Sequence, residues 1–115
     1  MNERRGYSPP SFSFYSLFFK CEKQNHPRPY AGIPVLEDRG IPEEKRSVIV
    51  DRIRELVGNV IDSGYDDTGE HIIEILIRSE DGIKVVVRDD AVRTFEADDM
   101  KRSTSLGMNA YYMTF

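Results

Sequence analysis

Two short apolar runs, each in strict alternation, constrain this chain more than any other feature. Ile73, Ile75 and Ile77 occupy alternate positions of one run, and Ile83, Val85 and Val87 occupy alternate positions of the next. A period of two places each set on one face of a strand. Between the runs, Glu80-Asp81-Gly82 reads as a turn. Turn length then decides register. A two-residue Asp81-Gly82 loop would set Ile77 against Val86 and Ile75 against Arg88, mixing apolar with charged positions. A three-residue Glu80-Asp81-Gly82 loop sets Ile77 against Val85 and Ile75 against Val87. It also puts Gly82 where such loops need a positive φ and brings Glu74 opposite Arg88. A slip of one residue undoes all of these pairings together. The three-residue loop is expected, at the cost of placing Arg78 opposite Lys84.

A hairpin with one apolar face needs a cover, and the sequence offers a helix before it. Ile49, Ile53, Leu56 and Val60 recur at helical spacing, and Val50, Val57 and Ile61 widen the stripe. Pro42 suits a first turn, and Glu43 with Glu44 complements the positive helix end. Gly64 is expected to close the helix as a left-handed cap. Gly58 and Asn59 weaken its middle, which leaves a second parse. There the helix stops at Val57 and residues 59–66 begin an SH3-like small barrel with strands near 59–66, 70–79, 83–90 and 92–96. The main expectation is an α+β fold, one amphipathic helix on an antiparallel sheet of three to five strands. After Asp89-Asp90, residues 91–96 read as either a further strand or a short capped helix. Lys101–Ser105 is polar and reads as a loop, and Met108–Phe115 alternates as a closing strand.

The N-terminal third has a different composition. Residues 1–42 hold seven of the twelve aromatic residues and all six prolines, and carry a net charge of +2. Residues 43–115 carry a net charge of −6. The chain thus divides into an aromatic, Pro-rich arm (1–42) and a body (43–115). Within the arm, residues 11–19 are too short and too interrupted to span a bilayer or form a secretory signal core. A cytoplasmic protein without membrane contact is expected. Aromatic residues suit a pleated strand, with Phe12, Phe14 and Phe18 on one face and Tyr15, Leu17 and Phe19 on the other. Two apolar faces imply a partner. Phe12, Phe14, Tyr15, Phe18 and Phe19 are therefore the candidate interaction residues, acting on another protein or on a second copy in a homodimer.

Chemistry-bearing residues form no recognisable catalytic set. Acidic doublets recur, and Asp66, Asp67 and Glu70 with Asp89 and Asp90 make the best group for a divalent metal in phosphoryl transfer. Asp also favours turns, which accounts for the doublets without metal. Cys21, His26 and His71 fit no zinc spacing. No Gly-rich phosphate loop, serine elbow or His-Glu-x-x-His pattern occurs. No cofactor and no metal is expected. The net charge of −4 argues against a nucleic-acid coat, and leaves a nucleic-acid-associated barrel or an acidic DNA mimic as alternatives. The leading expectation is a non-enzymatic interaction module, an accessory or regulatory subunit.

Overall fold

A computed structural model describes residues 13–21, 41–67, 69–79 and 82–115. The fold is α+β. Strand β1 (Ser13–Cys21) is followed by helix α1 (Glu43–Asn59), whose last turn widens to π form over Val60–Gly64. Strands β2 (His71–Ser79), β3 (Ile83–Asp89), β4 (Met100–Ser105) and β5 (Met108–Thr114) complete it. They join β1 in one five-stranded sheet of order β1-β2-β3-β5-β4, antiparallel throughout. The sheet is open rather than closed into a barrel: β1 and β4 are its two edges. Residues 59–66 carry the end of the helix and its exit, and residues 92–96 form no strand. The barrel parse is therefore corrected. Gly58 and Asn59 are tolerated because the turns on either side of them bury Leu56, Val57, Val60 and Ile61, so packing overrides propensity.

The hairpin register is the one that parity demands. Ile77 pairs with Val85, Ile75 with Val87, Glu74 with Arg88 and Arg78 with Lys84. Gly82 has φ +106°. Ile73, Ile75, Ile77, Ile83, Val85, Val87, Tyr111 and Met113 are all buried beneath the helix, whose Ile49, Ile53, Leu56 and Ile61 have no exposed surface or almost none. Phe115 extends the β3–β5 ladder by exchanging two backbone hydrogen bonds with Ile83, at 2.8 and 3.1 Å.

Two expectations fail for identifiable reasons. Gly64 is not a left-handed cap, since positive φ among the described glycines is confined to Gly82 and Gly107. Its value is closeness: a Cβ there would lie 3.0 Å from the Ala91 Cβ, and its carbonyl accepts the Arg93 N–H at 3.1 Å. Residues 101–105 are strand β4, not a loop. They pair with β5 through the tight Leu106-Gly107 turn, in which both residues have positive φ (53° and 79°). That conformation matches the twist of a two-residue hairpin.

Residues 91–99 form neither strand nor helix, and side chains hold them. The buried Asp89 accepts the Ala91 N–H and the Asn109 amide through the same oxygen, each at 2.8 Å. Asn109 also donates to the Ala91 carbonyl at 2.8 Å, and the Tyr111 hydroxyl accepts the Phe95 N–H at 3.1 Å. Arg52 on the helix clamps the far end of the segment, with Nε 2.6 Å and Nη2 3.0 Å from the two Asp99 oxygens.

Candidate functional site

With helix α1 on one face, the opposite face of the sheet has no covering element among the described residues. Its composition follows from register, because residues directly opposite in an antiparallel pair share a face. One cross-strand row runs Phe14, Arg78, Lys84, Thr114. The next runs Ser16, Leu76, Val86, Tyr112, Lys101. A third runs Phe18, Glu74, Arg88, Ala110, Ser103. Leu76 and Val86 are half-buried, and Tyr112 is 46% exposed. A groove of about 400 Å³ lies over Leu76, Val86 and Tyr112, with Arg78, Lys84 and Thr114 on its sides. Met108 and Ile72, 39% and 53% exposed, extend the apolar surface toward the other end.

Among the candidate interaction residues, Phe14, Tyr15, Phe18 and Phe19 belong to β1, while Phe12 lies outside the described residues. The register sets Phe14 and Phe18 in the rows of the open face. Tyr15 and Phe19 stand opposite Ile77 and Ile73, in the rows of the covered face. β1 therefore pairs along its full length with β2, and its outer edge has no neighbouring strand among the described residues.

The acidic group proposed for metal does gather at one end of the sheet, but its members turn to different partners, with Asp67 and Asp90 sharing His71. Asp66 reaches Arg93 at 2.6 Å, and Glu70 reaches Lys20 at 3.6 Å. Asp67 lies 2.6 Å from His71 Nε2, and Asp90 lies 3.5 Å from His71 Nδ1. Asp89 faces inward to Asn109, and burial pushes its carboxyl above the usual range despite the hydrogen bonds it accepts. Among the described residues no group of three or more His, Cys, Asp or Glu is disposed to hold a metal ion. The His71 ring stacks on Tyr65 with centroids 3.7 Å apart and planes at 12°. Sequence spacing gave no hint that Cys21 stands directly opposite His71 in the β1–β2 ladder, because only strand pairing brings positions 50 residues apart together. His26 lies outside the described residues.

No described helix is long and apolar enough to cross a membrane. Comparison with known proteins found no family model that matches the chain and no curated protein that matches it.

Proposed function

We propose that this chain is a non-enzymatic interaction module, an accessory subunit that binds a macromolecular partner across the open face of its sheet. One observation carries the reading: the cross-strand row Leu76–Val86–Tyr112 is apolar at the centre of a face that α1 does not cover. Apolar surface gathered into a continuous patch and rimmed by polar groups is the usual mark of a binding site. The engagement of these carboxylates by Arg93, Lys20, Asn109 and the shared His71 supports a structural rather than catalytic use of the acidic doublets.

The aromatic strand adds a second contact. Phe12, Phe14, Tyr15, Phe18 and Phe19 belong to or adjoin an edge strand, and an unpaired edge is a template for another chain. Self-association through that edge gives a homodimer. The test is a triple variant, Leu76→Ser, Val86→Ser and Tyr112→Ser, compared with the parent in affinity capture from the native host. The expected result is a circular dichroism spectrum like the parent's with loss of the co-purifying partner. Equal recovery of the same partner on the triple variant contradicts the reading.

A further inference from the structure

The fold segregates charge in a way that the total conceals. The chain as a whole carries −4, yet the open face collects Lys20, Arg78, Lys84, Arg88 and Lys101 against three carboxylates, Glu70, Glu74 and Asp90, all toward its His71 end. Glu74 is already held by Arg88 at 3.1 Å. Among the described residues, neither Lys84 nor Lys101 has an ionic partner. These two lysines border the apolar row: Lys84 stands in the row beside it, and Lys101 directly opposite Tyr112.

We propose that this face binds single-stranded nucleic acid. Bases lie on Tyr112 and on the aliphatic floor of Leu76 and Val86, and phosphates meet Arg78, Lys84 and Lys101. The inference rests on the open face being the binding surface and names what it binds. Charge decides the occupant. A second copy stacked face to face would set one group of cations against the other, which like-charge repulsion opposes. A polyanion is attracted by the same group. The floor then selects among polyanions, because exposed aromatic and apolar groups on a flat sheet contact base faces. A duplex keeps those faces stacked inside, whereas a single strand presents them.

The geometry also orients the strand. At the His71 end of the sheet a groove of about 520 Å³ is lined by Glu70, Glu74 and Asp90 against one guanidinium, Arg88, and this excess of carboxylates repels phosphate. The path therefore crosses the strands along the Leu76–Val86–Tyr112 row. From Ser16 to Lys101 the full row crosses four strand spacings, about 19 Å.

Fluorescence anisotropy with labelled fifteen-nucleotide oligouridine and oligothymidine tests the proposal and separates RNA from DNA, with a duplex of equal length as control. Expected is binding of at least one single strand in 50 mM salt, weaker binding of the duplex, and a slope of log K against log salt near −2, since each single-strand phosphate contact contributes about −0.7. Lys84→Ala with Lys101→Ala should flatten that slope by about 1.4. Tyr112→Ala should weaken binding about tenfold or more while leaving the slope unchanged. Absence of single-strand binding, preference for duplex, or an unchanged slope in the double lysine variant overturns the proposal. If oligonucleotides fail while a protein partner is still captured through Leu76, Val86 and Tyr112, the ligand is wrong and the binding face stands. If both fail, the face is not a binding surface.

Discussion

The two faces of this sheet are built from the same strands, one residue out of phase, and differ in nearly every physical respect. The covered face is almost wholly aliphatic, with Ile73, Ile75, Ile77, Val85 and Val87 sealed under the helix. Of its buried polar members, Asp89 and Asn109 sit at one end and bond to each other, and Ser79 sits at the other. The open face interleaves Leu76, Val86 and Tyr112 with Arg78, Lys84 and Lys101. Burial tolerates no unpaired charge on the first face, while water and a partner tolerate many on the second. The lesson is that the weaker of two alternating patterns is where a small α+β protein has room for function.

The largest effect that would break this comparison is a charge placed under the helix. Ile53→Asp should unfold the domain, because burying an unpaired carboxylate costs several kcal/mol, whereas Leu76→Ser on the open face should cost about 1 kcal/mol. Urea denaturation of the two variants checks the contrast, and comparable losses would show that both faces serve the fold. Gly82→Val attacks the register that assigns each residue to its face. Its φ of +106° resists a β-branched residue, and a Cβ would meet the Phe115 carbonyl oxygen at 3.1 Å. The expected cost is about 1–3 kcal/mol, and an unchanged melting temperature would reject the turn.

The difference in how far these regions could be read from sequence has physical causes. The β2–β3 hairpin was legible because alternation, turn length and Gly82 all specify one register. β4 was not: Lys101-Arg102-Ser103-Thr104-Ser105 has no apolar face, so its strand character comes from pairing with β5. Its turn is also disguised, since Leu106 occupies a left-handed position where Asn or Gly is ordinary. Residues 91–99 take their path from Asp89, Asn109, Tyr111 and Arg52, which are partners distant in sequence and invisible to any local pattern. The cations of the open face were hidden in the same way. They come from four strands and add up only once the strand order is known, so the net charge of −4 does not report them. In β1, alternation did place Phe14 and Phe18 apart from Tyr15 and Phe19, as the ladder has them.

Two smaller effects sharpen the account. Leu106→Asn should stabilise by about 1 kcal/mol, read by thermal melting, because Asn accepts the left-handed conformation at lower cost and the fully exposed Leu106 has no packing to lose. Asp89→Asn probes the one carboxylate of the covered face. Burial raises the Asp89 pKa in the folded state, so its contribution to stability is greatest at low pH and falls as pH rises through the raised value. The stability of Asp89→Asn relative to the parent should therefore increase from pH 4 to pH 7. A constant difference would show that Asp89 is not the titrating group.

Methyl and aromatic NMR spectra, recorded as oligouridine is added, test most directly whether one face holds the fold while the other binds. Shifts are expected at the Leu76 and Val86 methyls and the Tyr112 ring, with Ile75, Val85, Val87 and Tyr111 unmoved. Shifts centred on the helix or spread evenly over both faces would contradict it, as would spectra that do not change at saturating oligonucleotide.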